Sequence, residues 1–148
     1  MYKWVKNYVG IPFKSGGRTY EGCDCYGLVR LIFLNEYSMK LPSLSGKYED
    51  ALDKEFTKEL FHQYVPLLCG ERIDGPEEKA VAIIRTQGLA THVAMYAGDG
   101  SIIHTMLNMG TVCERISSPM LTGRIEGWYR VSKNYCTGER ILTGTSGI

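Results

Sequence analysis

No apolar run in this sequence is long enough to cross a bilayer. Stretches such as Leu31-Ile32-Phe33-Leu34 end after a few residues, against the roughly 20 residues a membrane helix needs. The sequence also lacks an excess of either charge. Seventeen Lys and Arg stand against sixteen Asp and Glu, a formal +1, so no field draws the chain to nucleic acid or to an anionic membrane surface. The opening Met1-Tyr2-Lys3-Trp4-Val5-Lys6-Asn7 is not followed by the apolar core of a signal peptide, and the expectation is a chain that enters no secretory route by itself. Cysteine pairing is missing as well. The five Cys, at 23, 25, 69, 113 and 136, are odd in number, with one C-x-C and no C-x-x-C. That argues against a disulfide framework and against the paired knuckles of structural zinc. Reduced thiols are expected, with no metal and no cofactor. No repeat, low-complexity tract or linker divides the 148 residues into two domains.

What is present suffices for a core. Hydrophobic residues make up 44% of the chain, with ten Tyr, four Phe and two Trp adding packing area, enough to offset the entropy of ordering. Residues 2–9 place Trp4, Val5, Tyr8 and Val9 on one helical stripe, ended by Gly10 and Pro12. Residues 13–22 read as an irregular, glycine-relaxed loop. From Cys25 to about Met39 the chain is apolar on most faces, the pattern of a buried helix. Asp24 is its N-cap and Pro42 its stop. Residues 48–64 carry Tyr48, Leu52, Phe56 and Leu60 at i+4, an amphipathic helix with Asp50 and Lys54 paired outside. After Pro66 the segments 81–86, 91–97, 101–107, 111–115 and 125–131 are short, rich in β-branched or aromatic residues and separated by Gly-containing turns. Helices followed by strands predict an α+β fold, with helices packed on one antiparallel sheet of about five strands. The domain is expected over 1–136, followed by a flexible tail at 137–148.

Cys25 has the position of a nucleophile. At the start of a buried helix its sulfur meets unpaired backbone N–H groups and the positive end of the helix dipole, both of which favour thiolate. The same N–H groups suit an oxyanion formed during acyl transfer. As a small apolar side chain it also suits a purely packed role, as does Cys23. A thiol nucleophile needs a base, and there are only three histidines. His62 falls on the charged helix; His92 and His104 come from adjacent strands. A three-residue Gly98-Asp99-Gly100 loop sets Ala94 opposite His104 and His92 opposite Met106. The imidazoles then share a face as diagonal neighbours, roughly 7–8 Å apart between Cα atoms. A two-residue Asp99-Gly100 turn, a favoured hairpin, shifts the register by one and sends them to opposite faces. Both registers remain open. An imidazole pair requires the odd-length loop or a bulge.

Four motifs carry a resemblance. Asp24-Cys25-Tyr26-Gly27-Leu28-Val29 is similar to the D-C-S-G-L-V nucleophile motif of the NlpC-type cell-wall peptidases, and Pro12-Phe13-Lys14-Ser15-Gly16-Gly17 to their P-Y-x-x-G-G lead-in. The block from His92-Val93-Ala94-Met95-Tyr96 through Gly98-Asp99-Gly100 to Ile102-Ile103-His104 is similar to their H-V-G-I-Y-x-G-D-G…I-H. Gly127-Trp128-Tyr129-Arg130 resembles the G-F-Y-R ending of the short bacteriophage branch.

The resemblance implies a papain-like fold and a Cys-His-His triad, with Cys25 as nucleophile, His92 as base and His104 orienting the His92 ring. It implies a cysteine peptidase or amidase acting on peptidoglycan stem peptides, and phage tail proteins as partners. Such a chain would be made in the host cytoplasm and reach the wall through the virion or at lysis. No nucleic acid partner and no membrane insertion are expected. The alternatives are a non-catalytic tail-assembly module that retains the fold, and a thiol acyltransferase on the same scaffold. Substrate contacts are expected at Asp24, Phe13 and Tyr26. Asp24 is equally suited to capping alone, Phe13 stands where the family commonly has Tyr, and Tyr26 stands where it has Ser. Arg18 and Arg30 are further candidates to meet substrate carboxylates, or are simply solvated.

Overall fold

The apolar stretch after Asp24 forms α1 (Cys25–Tyr37), the one α-helix among the described residues. The structure, a computed structural model, describes residues 1–44, 69–86 and 89–131. Leu28, Ile32 and Phe33 of α1 are wholly buried, each contributing about 1.5–3 kcal/mol by leaving water. The helix stops before Pro42. Ser38 turns left-handed (φ 56°) and its N–H bonds back to the Phe33 carbonyl, closing the last turn as an αL cap does.

The sheet against which α1 packs has six strands, not about five. β3 (Cys69–Ile73), β4 (Val81–Thr86), β5 (Leu89–Gly98), β6 (Ser101–Met106), β7 (Gly110–Arg115) and β8 (Ile125–Val131) run antiparallel in the order β3-β8-β4-β5-β6-β7. β3 is the strand not expected from sequence. It is an edge strand, bulged between Cys69 and Glu71 where it pairs with β8, and its Cys-Gly-Glu-Arg-Ile lacks the alternation that marks a half-buried strand. The central β4 is buried on both faces through Val81-Ala82-Ile83-Ile84, as expected for a strand covered on each side. Val81, Ile83, Val93, Met95 and Ile103 pack toward α1. Ala80, Ala82, Ile84, Ala94, Ile102 and Trp128 form a second core on the other face, beneath Leu121.

Two further departures from the sequence reading have local causes. The first helical stripe is a 3₁₀ turn (Lys3–Asn7); with three residues per turn, Val5 and Tyr8 are buried together while Val9 is left 48% exposed. The loop before α1 contains a two-stranded piece, β1 (Arg18–Thr19) against β2 (Gly22–Cys23). This loop lies directly on the first turn of α1, because a Cβ on Gly27 would stand 2.0 Å from the Gly17 carbonyl oxygen. The amphipathic helix expected over 48–64, His62 on it, and the tail at 137–148 lie outside the described residues.

The β5–β6 hairpin resolves the register left open by sequence. The turn is the two-residue Asp99-Gly100, both with positive φ (51° and 73°), as a type I′ hairpin requires. Gly98 pairs with Ser101, yet Tyr96 pairs with Ile102 and Met95 with Ile103. One residue is therefore bulged out between Tyr96 and Gly98, and the bulge restores the register in which Ala94 stands opposite His104.

Gly27→Ala is expected to lower the urea midpoint markedly, because the new methyl meets backbone rather than a flexible side chain. Gly75→Ala, which meets nothing within 4 Å, is expected to leave the midpoint unchanged.

Candidate active site

Asp24 organises the entrance to α1. Its Oδ1 accepts the Gly27 N–H (2.8 Å) and an Arg18 guanidinium N–H (2.9 Å), and its Oδ2 accepts the Gly16 N–H (3.0 Å). The carboxylate is wholly buried. It therefore caps the helix and ties the 13–19 loop to it, the capping reading of the two expected for this residue. The Tyr26 ring is buried under the Arg18 guanidinium and its hydroxyl donates to the Pro42 carbonyl. Arg18 also bonds the Ser43 carbonyl, and Arg30 bonds the Leu41 carbonyl, so both arginines serve the fold. Cys23 is buried, and its thiol donates to the Thr19 carbonyl.

Cys25 is half-buried at the mouth of α1, and the N–H groups of Tyr26 and Val93 are directed to its sulfur. The second of these follows from strand geometry. The Tyr96 N–H bonds the Ala80 carbonyl across β4, so alternation places the Val93 N–H on the β6 edge. The β5–β6 ladder begins only at Met95, and the Val93 N–H meets the Cys25 sulfur instead. Burial, then the Asp24 carboxylate, push the thiol up to about 12, against the opposing pull of the two N–H groups and Arg18. At this position desolvation of a charge outweighs a dipole and two hydrogen bonds.

His92 and His104 share the face away from α1. His92 Nε2 lies 2.9 Å from His104 Nδ1, and His104 Nε2 lies 2.9 Å from Glu114 Oε1. His104 is 2% exposed; burial lowers its pKa below the usual 6.5, only partly opposed by Glu114, so it is neutral at pH 7. Cys25, His92, His104, Glu114 and Phe13 line one cavity of about 250 Å³, walled further by Ile84, Met106, Leu121, Arg85 and Arg124. Among the described residues no group of three or more His, Cys, Asp or Glu is placed to hold a metal ion, and no helix is long and apolar enough to cross a membrane.

Residues 10–130 match the NlpC/P60 family. The chain belongs to the NlpC/P60 family. It is 23% identical over 113 residues to the Escherichia coli K12 protein named murein DD-endopeptidase MepS/murein LD-carboxypeptidase, an alignment covering 76% of this chain and 52% of that protein. The chain thus spans about half the length of the curated relatives it matches. Among solved structures, an NlpC/P60 family protein from Bacillus cereus ATCC 10987 superposes with a TM-score of 0.60 at 20% identity, covering 85% of this chain and 37% of that one. The NlpC/p60 domain of the peptidoglycan hydrolase SagA gives 0.56 at 16% identity, covering 84% and 91%. At these identities the likeness is one of fold, and it agrees with a papain-like α+β arrangement.

Within this NlpC/P60 domain, Glu114 was not singled out from sequence. The signal for it was the parity test carried one hairpin further. His104 pairs with Val112 and Ile102 with Glu114 across β6–β7, so Glu114 is the diagonal neighbour of His104 on the imidazole face.

Two measurements probe this arrangement. With the folded pKa of His104 below 6.5, the unfolded chain binds the proton first, so stability falls as pH drops through about 6.5. The denaturant midpoint is expected to fall between about pH 8 and about pH 5, and His104→Gln to flatten that slope. Arg18→Met strands the buried Asp24 carboxylate, with an expected loss of about 3–5 kcal/mol in chemical denaturation. The double variant Arg18→Met/Asp24→Asn is expected to recover part of it.

Proposed function

We propose that this NlpC/P60 domain is a cysteine hydrolase that cuts peptide bonds in bacterial peptidoglycan stem peptides, with Cys25 as nucleophile, His92 as base and His104 as the group that orients it. The observation that carries this reading is the continuous line from His92 through His104 to Glu114 in a cavity that Cys25 also lines. The names of the murein-cleaving relatives support the substrate class.

The chemistry follows from the protonation states. Burial raises the pKa of the thiol, so its proton must pass to a base as the sulfur attacks. The His92 imidazole takes the proton as the sulfur bonds the scissile carbonyl carbon, a general-base step that ordinarily contributes ~10²–10⁴-fold. The imidazolium then gives that proton to the leaving amine, and water, activated by the same ring, hydrolyses the thioester. Phe13 supplies a ring to the cavity wall without the hydroxyl that the family commonly places there. Arg85 and Arg124, which also line the cavity, suit the carboxylates of an acidic peptide.

The Gly127-Trp128-Tyr129-Arg130 ending supports placement with the short bacteriophage branch, and hence association with a phage or prophage tail, synthesis in the host cytoplasm and delivery to the wall by the virion or at lysis. These residues also have duties within the sheet: Trp128 packs edge-on against Tyr96, and Arg130 pairs with Glu71 and Glu77.

Incubation with purified stem peptides and mass analysis tests the proposal. Fragments whose masses sum to substrate plus water are expected, with none from Cys25→Ala and a loss of at least about 100-fold in His92→Ala. No cleavage by the unaltered chain would leave the non-catalytic tail module as the better reading; fragments transferred to an added amine would indicate the acyltransferase. Arg85→Gln/Arg124→Gln is expected to raise KM for acidic stem peptides and to leave KM unchanged for their amidated forms.

A further inference from the structure

The imidazole pair ends on a carboxylate that is itself held at both oxygens. Glu114 Oε1 faces His104 Nε2 at 2.9 Å, and Glu114 Oε2 accepts the Ser118 hydroxyl at 2.9 Å. Ser118 is placed by the turn after β7, where its N–H bonds the Arg115 carbonyl at 2.9 Å. With both oxygens engaged, and with Glu114 half-buried, the carboxylate has one orientation.

Proton counting along this line leaves one arrangement. A carboxylate has no proton to donate, so His104 Nε2 must carry the hydrogen in that bond. A neutral His104 then has its lone pair on Nδ1, which must accept from His92 Nε2 across 2.9 Å. His92 in turn carries its proton on Nε2 and its lone pair on Nδ1. If His104 took the other tautomer, its Nδ1–H would donate to His92 Nε2, and His92 would carry its hydrogen on Nδ1. The atom required to take the thiol proton would then already be protonated.

We propose that Glu114, steadied by Ser118, is a positioning residue that sets the tautomer of both imidazoles and so makes His92 a base at Nδ1. The proposal rests on Cys25 and His92 being the reacting pair, but the proton positions it specifies exist whether or not stem peptides are the substrate. The carboxylate acts through His104 rather than by touching substrate. Its chemical content is acceptor-only character, and a carboxamide that presents its oxygen to His104 retains part of that.

The test is ¹⁵N-edited NMR of the three histidines at neutral pH, assigned with His→Gln variants, alongside kinetics on stem peptides and the alkylation rate of Cys25 by a small haloacetamide. In the unaltered chain both His92 and His104 are expected as Nε2–H tautomers. Glu114→Ala is expected to give a mixture on both rings, with kcat and the alkylation rate lowered roughly 10- to 100-fold, the range seen when orienting partners of ligand histidines are removed, and KM little changed. Glu114→Gln is expected to recover most of the tautomer and much of the rate, and Ser118→Ala to cost only a few-fold. An Nδ1–H signal on either ring of the unaltered chain overturns the proposal. So does Glu114→Ala with both tautomers unmoved, whatever happens to its rate. Should Glu114→Ala fail to fold, the unaltered chain, Glu114→Gln and Ser118→Ala decide the matter by the same signals. Failure of the functional reading shows differently: no stem peptide is cut, while the tautomers stand as described and still respond to Glu114.

Discussion

The buried carboxylate of Asp24 is the constraint on which the rest of the site depends. A charge removed from water must be compensated by nearby partners, and here the partners come from separate pieces of chain: the Gly16 N–H and the Arg18 guanidinium from the loop, and the Gly27 N–H from α1. Satisfying one side chain therefore fixes the loop, the helix entrance and the position of Cys25 between them. The close approach of Gly17 to Gly27 is what allows the loop to come down far enough. The same charge has a chemical consequence. Standing beside the sulfur, it adds to desolvation in raising the thiol's pKa, so the feature that places the sulfur also opposes its ionisation.

In the proposed hydrolase, activation of the thiol therefore falls to the sheet. The imidazoles reach the cavity only because the β5–β6 hairpin carries one extra residue beyond its turn, which returns both rings to one face. The break in that ladder before His92 also turns the Val93 N–H to the sulfur. A single irregularity between two strands thus sets the side-chain register, while the early end of the same ladder provides a backbone donor where the helix mouth meets the sheet. Beyond it, the regular β6–β7 pairing brings Glu114 beside His104, and the burial that keeps His104 neutral allows it to pass on orientation rather than charge.

Several features were legible in the residues themselves. Apolar periodicity marked α1 and the five strands rich in β-branched or aromatic residues, because burial on one or both faces leaves a pattern that local reading detects. Asp24 was legible as a cap, and Cys25, His92 and His104 as a group through motif and spacing. Others were not. β3 is an edge strand whose partner, β8, lies more than fifty residues away, and nothing in its own five residues reports that pairing. Asp24 and Tyr26 suggested substrate contacts, but whether a polar group faces a ligand or the interior depends on what packs above it. Here Arg18 and the 41–44 segment do so.

Sequence alone determined the order of elements, the family to which the chain belongs, and the chemical types available: one thiol at a helix start and two imidazoles on neighbouring strands. Tertiary structure decided the turn and bulge that set the register, the burial around the sulfur, and the placement of Glu114 beside His104. Each of these depends on distances between segments remote in sequence and on how much water remains around a charge, and neither quantity is contained in local pattern.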